Sequence, residues 1–191
     1  MPRDENFLKA NNARHLWHPM THPADHLKNP PTIVTGGKGV RITDIDGHES
    51  VDAVGGLWNV NLGYSCQPVK DAIAAQLEQL PYYSIFRGTS NDCVIELTEE
   101  LCEFFKPDGM TRAFYTSGGS DSIETALRLA RQYHKIRGAE ARTKFLSLKK
   151  GYHGTHIGGA SVNGNANFRN AYEPLLPGCF HTPAPYVYRN P

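Results

Sequence analysis

The chain has no window approaching the run of about 18 apolar residues that a membrane helix needs, which argues against a spanning segment. Its opening, Met1-Pro2-Arg3-Asp4-Glu5-Asn6, is polar and leads into no apolar stretch of the kind that marks a secretory leader, so the expected location is the cytoplasm. Runs of one charge are also missing. Twenty Lys and Arg stand against 19 Asp and Glu, dispersed, for a net charge of +1, which excludes a basic track for a nucleic-acid backbone. Cysteine is sparse: Cys66, Cys93, Cys102 and Cys179 show no CxxC pairing, and buried thiols are expected rather than a disulfide or zinc framework. The nine histidines include His15, His18, His22 and His26, spaced for one helix face, but Pro19 and Pro23 break that register. His153 and His156 lack the Glu of a zinc-protease helix and sit among Gly151, Gly154, Gly158 and Gly159, so no metal site is expected.

What the sequence does contain is a glycine-containing junction leading into a strong helix. Arg112-Ala113-Phe114-Tyr115-Thr116 reads as a short strand, and Ile123, Ala126, Leu127 and Ala130 recur at helical spacing after Ser117-Gly118-Gly119-Ser120-Asp121-Ser122. Ser120 or Asp121 is the expected cap, with Glu124 completing a capping box. Free amides at such a helix start, with the positive end of the helix dipole, make a site for a phosphate, and glycines allow close approach. An ordinary strand-to-helix turn has the same composition. A P-loop is excluded because Asp121 follows Ser120 where Lys and a hydroxyl residue are required. A hydrolase elbow is excluded because Ser122 occupies the position of its second glycine.

A second loop follows Lys144-Phe145-Leu146-Ser147-Leu148, which reads as a buried strand, and carries Tyr152-His153-Gly154 just past the strand's carboxyl end. Ligands of open α/β sheets bind outside those ends, so the Gly118 and Tyr152 loops are expected side by side. A phosphate cradle beside an aromatic face suits a flat heteroaromatic phosphate ester, and pyridoxal phosphate fits that description. Lys149 and Lys150, adjacent in a glycine-bounded turn, read as solvated rather than as an imine-forming lysine.

At these residues the chain resembles the class III pyridoxal-phosphate aminotransferases, particularly the ω-transaminases. The resemblance runs through Leu16-Trp17-His18-Pro19-Met20-Thr21, Gly39-Val40-Arg41-Ile42-Thr43-Asp44-Ile45-Asp46-Gly47 and Gly56-Leu57-Trp58-Asn59-Val60-Asn61-Leu62-Gly63-Tyr64 to the two loops above. It implies the type I fold of pyridoxal-phosphate enzymes: an α/β protein with an N-terminal arm and small-domain strands over residues 1–60 and the start of a large, mostly parallel-sheet domain over 61–191. It implies transfer of an amino group from an amine or ω-amino acid to a keto acid such as pyruvate through a pyridoxal phosphate Schiff base. A class III decarboxylase or aminomutase, or a short non-catalytic binding or dimerisation module, stands as the alternative. Carried over by position, Gly118, Gly119 and Ser120 would hold the cofactor phosphate, and Tyr152, with His153 beside it, would stack on the pyridine ring. Met20, Leu57 and Trp58 would line the substrate pocket, and Phe86 would reach into the site of a partner subunit in a homodimer. Many relatives read Asn-Ser-Gly-Ser-Glu-Ala where this chain has Ser117-Gly118-Gly119-Ser120-Asp121-Ser122. The family's Schiff-base lysine, pyridine-nitrogen aspartate and carboxylate arginine fall beyond residue 191, so the 191 residues alone are expected to be inactive. An aromatic such as Trp58, taken without the resemblance, equally suits core packing.

Elsewhere a helix is expected over Asp4–Ala13 and strands near Thr32–Thr35, Gly39–Thr43 and Ser50–Ala53, with Asp46-Gly47 turning between the last two. Further helices are expected over Val69–Glu78, Asn91–Phe105 (with Val94, Leu97, Leu101 and Phe104 on one face) and Ser120–Arg137. Alternating strand and helix beyond them points to a parallel sheet. From Glu173 five prolines suggest an irregular tail, and a sheet with uncovered faces suggests poor solubility of the isolated chain.

Overall fold

A computed structural model describes residues 4–189, and its chain divides into two compact units, Met1–Asn91 and Asp92–Pro191. In the first unit, Asp4 caps helix α1 (Glu5–His15) by accepting the amide of Phe7 at 2.7 Å. Proline at the start of α2 (Pro23–Lys28) suits that position, because its missing N–H is one the helix cannot use there. Strands β1 (Val34–Lys38), β2 (Arg41–Asp44) and β3 (Glu49–Val51) form an antiparallel sheet in sequence order. Asp44 organises the β2–β3 turn, its Oδ1 accepting the amides of Asp46 and His48 at 2.9 Å each, while Gly47 takes the positive φ of +83°.

The segment after β3 is the unusual one. Gly55–Trp58, α3, has helical hydrogen bonds, Trp58 N–H to Val54 O and Asn59 N–H to Gly55 O at 2.9 Å, yet φ is positive at all four residues. It is a left-handed turn, a conformation that costs roughly 1–2 kcal/mol for each residue bearing a Cβ. Helix α4 (Gln67–Gln79) follows, with Pro68 in its first turn.

The second unit opens with α5 (Asp92–Phe104), where Val94, Thr98 and Leu101 are half-buried; the expected face is displaced, because Leu97 and Phe104 are exposed. The expected strand at Arg112–Thr116 is not formed. Among the described residues no strand pairs with it, and an extended segment without a partner has no ladder of hydrogen bonds. Helix α6 (Gly119–Ile136) leads to β4 (Phe145–Leu148), α7 (Ile157–Val162) and β5 (Cys179–Thr182). Strands β4 and β5 pair in parallel, Phe145 opposite Cys179 through Leu148 opposite Thr182, with α7 in the crossover between them. The expected irregular tail therefore contains a strand: prolines at 174, 177, 183 and 185 bracket Cys179–Thr182 without entering it.

Among the described residues burial gathers around α7, where Ala160 and Val162 are the buried apolar side chains, joined by Gly158, Gly159, Ser161 and a fully buried Asn163; in the first unit His26 is buried. The expected buried strand β4 is covered on one face only, with Leu146 exposed. The cysteines depart from expectation as well: Cys93 is exposed and the other three are half-buried. None of the described helices is long and apolar enough to cross a membrane.

Candidate active site

The 18-residue helix α6 begins at Gly119, with Gly118 as the residue before it in fully extended conformation. Ser122 N–H makes the first helical bond, to Gly118 O at 3.0 Å, so the amides of Gly119, Ser120 and Asp121 precede the intrahelical ladder. Nothing lies within 4 Å of where a Cβ would stand on Gly118 or Gly119, leaving the backbone open to a ligand. The loop is braced from behind: Thr116 Oγ1 and Ser122 Oγ both donate to Gly118 O at 3.1 Å and lie 2.6 Å from each other.

The expected capping box is not formed. Because Gly119 is the first helical residue, Ser120 and Asp121 already lie inside the first turn, where a side chain cannot cap its own helix start. Ser120 Oγ instead accepts the Thr155 amide at 3.3 Å, and Asp121 Oδ1 lies 3.3 Å from His156 Nδ1. Glu124 reaches across to α7, its Oε1 accepting the amides of Gly158 at 2.6 Å and Gly159 at 3.0 Å. That carboxylate stabilises the start of a helix whose own first residue offers no side-chain cap, and a negative charge there also meets the positive end of the helix dipole.

These contacts bring the Gly118 loop and the Tyr152 loop side by side, as expected, meeting through Ser120 on one side and Gly154 and Thr155 on the other. Gly154, at φ +95°, packs so closely that a Cβ would lie 2.5 Å from Ser120 Oγ and 2.8 Å from its Cα. Gly159 is equally tight, 2.6 Å from His153 O, and a Cβ on Gly164 would run into Leu148 O. Buried Asn163 locks the loop by donating its side-chain amide to Gly154 O at 3.1 Å and accepting the Asn165 amide at 3.2 Å. Tyr152 stands at the edge of this packing, 57% exposed and held edge-to-face against Phe168 at 5.2 Å. A hydroxyl and open helix-start amides thus meet the loop that carries an exposed aromatic ring two residues before Gly154, a set of groups suited to a planar phosphate ester. Glycine density between 151 and 164 was the sequence signal for close packing; nothing in the sequence marked Asn163 or the second role of Glu124.

The expected pocket residues Met20, Leu57, Trp58 and Phe86 lie in the other unit. All are exposed, and three of them, Met20, Leu57 and Trp58, have positive φ of 62°, 61° and 68°. Among the described residues the remaining non-glycine positions with positive φ are Arg87, next to Phe86, and Lys150, two residues before Tyr152. Backbone held in sparsely populated regions gathers at ligand-binding positions, where surrounding contacts over-determine it. Trp58 borders an open groove of about 560 Å³ with Asn59, Leu62, Tyr64, Val69 and Lys70. Asp52 serves the strained turn directly: Oδ1 accepts the Val54 amide at 3.1 Å, and Oδ2 accepts the Gly56 amide at 2.7 Å and the Tyr64 hydroxyl at 2.5 Å. The Tyr64 hydroxyl and the Gly56 amide hold the Asp52 carboxyl below the usual carboxylate range, and the same bond pushes the Tyr64 phenol upward.

Residues 23–191 match the family model described as Aminotransferase class-III. Taurine–pyruvate aminotransferase of Bilophila wadsworthia is 35% identical over 191 residues, all of this chain but 40% of that protein. An amine transaminase from an uncultivated Pseudomonas species, solved in a PLP-bound form, aligns with a TM-score of 0.87 and 47% identity over 93% of this chain and 40% of its own. A thermostable (S)-enantioselective ω-transaminase from Thermomicrobium roseum aligns with a TM-score of 0.92 and 33% identity over 99% and 42%. The chain therefore spans about two-fifths of the length of these relatives and shares the fold of PLP-dependent transaminases of type I. With most of its residues matched by the family model, the chain belongs to the class III aminotransferases.

Proposed function

We propose that this chain is the cofactor-phosphate and substrate-wall portion of a pyridoxal-phosphate transaminase that moves an amino group from an amine to a keto acid such as pyruvate. The observation that carries the reading is the junction of the two loops, Thr155 N–H on Ser120 Oγ at 3.3 Å with Gly154 pressed against Ser120. The residues fit the cofactor: three helix-start amides, a hydroxyl whose proton is still available to donate, and glycines whose Cβ space is open. Gly118, Gly119 and Ser120 hold the phosphate, and Tyr152 covers the ring, kept upright by Phe168. His153, next to Tyr152, shapes the same loop. Bound pyridoxal phosphate supplies an electron sink for breaking a bond to the carbon that carries the nitrogen. The chain's own contribution is to orient that ring and to present Met20, Leu57, Trp58 and Phe86 to the amine.

In this reading residues 1–60 form the arm and small-domain segment and 61–191 the first part of the large domain. The protein works as a cytoplasmic homodimer whose Phe86 serves the partner's site, and the imine-forming lysine is supplied after residue 191. A relative named taurine–pyruvate aminotransferase and a neighbour named amine transaminase support the substrate classes.

The test is borohydride reduction of the full-length protein after incubation with pyridoxal phosphate, read by intact mass, alongside alanine formation from pyruvate and an amine. One reduced adduct per chain and amine-dependent alanine are expected, and Gly119→Val should abolish both by filling the open cradle. Absence of any adduct on the full-length protein would sink the proposal.

A further inference from the structure

The turn that carries Leu57 and Trp58 has no evident reason to stay left-handed by itself. Both residues carry a Cβ, and they are 68% and 78% exposed, so burial does not offset the strain. Besides its own backbone bonds and the Asn59 side-chain amide on Leu57 O at 3.1 Å, the contacts that tie this turn to the rest of the unit converge on Asp52. One carboxylate binds the amides of Val54 and Gly56, inside the turn, and the hydroxyl of Tyr64, outside it. Tyr64 is in turn fixed to the β1–β2 hairpin. Its amide donates to Gly39 O at 2.8 Å, and its ring lies so close over Gly37 that a Cβ there would be 2.7 Å from the ring. Neighbouring Ser65 accepts the Gly39 amide at 2.8 Å, and a Cβ on Gly63 would lie 2.6 Å from Gly39 O. The strained turn is thus tied through one carboxylate to a rigid sheet edge.

We infer that Asp52, with Tyr64, is a positioning residue for substrate selection: it holds the Gly55–Trp58 turn left-handed and so fixes the direction in which Leu57 and Trp58 meet the amine. The inference rests on the reading of those two residues as the substrate wall. The amines concerned are those with a large apolar or aromatic group, because the groove beside Trp58 adds Leu62 and Val69. Asp52 touches no reacting atom, and its effect is on discrimination rather than on the chemical step.

The experiment uses the full-length enzyme loaded with pyridoxal phosphate, with benzylamine and ethylamine as donors. Asp52→Asn keeps an acceptor but loses the charge, and Tyr64→Phe cuts the tie to the hairpin. Each should raise KM for benzylamine by about tenfold or more, since small misplacements of a binding group are costly, and leave KM for ethylamine and kcat within about twofold. Leu57→Gly removes the Cβ penalty of the turn, so Asp52→Asn should cost less in that background than in the native one. Hydrogen exchange of the peptide spanning Asp52–Trp58 should accelerate in Asp52→Asn. Equal losses for both amines, or a loss that Leu57→Gly does not relieve, would show Asp52 to be merely structural and overturn the inference. A native enzyme inactive with every amine would instead overturn the transaminase reading, and this inference with it.

Discussion

The Gly154–Asn163 loop and the Gly55–Trp58 turn solve one problem, holding a backbone in an exacting shape, by opposite means. In the first, glycines let backbone meet backbone, and Gly158, Gly159, Ala160, Ser161, Val162 and Asn163 are all buried. In the second, nothing is buried. Two bulky apolar residues stand in solvent, and hydrogen bonds fix the turn, from Asp52 with Tyr64 on its amides and from Asn59 on its carbonyls. The difference follows from what each region presents. In the proposed reading the first region backs the phosphate cradle at Gly118–Ser120, which needs close packing behind it, whereas the second would present side chains to the substrate, which need their backbone aimed.

If packing governs the first region, adding one carbon to it should have a large effect. Gly154→Ala places a Cβ against Ser120 at a φ that L-residues avoid, so we expect a loss of about 2–4 kcal/mol in urea unfolding and loss of pyridoxal phosphate binding. A variant as stable as the native protein would mean that the two loops are not in contact. Next in size is Glu124→Ala, which leaves the amides of Gly158 and Gly159 without their acceptor. It should cost about 1.5–3 kcal/mol, the usual range for hydrogen bonds to a charged group, while Glu124→Gln recovers part of it.

These two residues also mark how far the sequence could be read. Helices and hairpin were legible from periodicity and turn residues, and α6 was placed within a residue at each end. The meeting of the two loops was legible too, from the glycines and the carboxyl end of β4, although the strand expected before the first loop did not form. Glu124 was legible only as a charged residue near a helix start. Its spacing from Asp121 fits a capping box, but a side-chain reach to residues 34 and 35 positions away leaves no periodic trace. The strand expected at Arg112–Thr116 failed for the related reason that a strand requires a partner, and pairing is not a property of five residues. Asp52 was hidden differently: an Asp before Ala-Val-Gly-Gly announces a turn, but not its hand.

A smaller effect separates the regions by pH. His181, on β5 beside the packed loop, has its pKa lowered by burial and then by Arg169, whose guanidinium lies 3.1 Å from the ring. The folded state therefore prefers the neutral ring. Its contribution to stability is complete above the ordinary histidine value of about 6.5 and is lost as pH falls below it, where the unfolded chain binds the proton first. Asp52 follows the same sign at lower pH, present above the ordinary carboxylate value and lost as the pH drops through its depressed one. Melting temperature followed downward from neutrality should fall first through His181, and His181→Gln should flatten that step. An unchanged step in the variant would assign the titration elsewhere.

The smallest expected effect has the opposite sign and bears most directly on the comparison. If Gly55–Trp58 is strained for presentation rather than for stability, relaxing it should stabilise the fold. Leu57→Gly removes a Cβ that makes the left-handed conformation unfavourable and sacrifices little burial, since that side chain is 68% exposed. Against the relief of roughly 1–2 kcal/mol stands the greater chain entropy of glycine, so a net gain of about 0.5–1 kcal/mol is expected in urea unfolding. A variant less stable than the native protein would show that Leu57 packs within the fold after all, and the turn would then belong with the buried loop. A more stable variant with poorer use of a large amine would show that this segment trades stability for aim, as strained backbone at a binding site does.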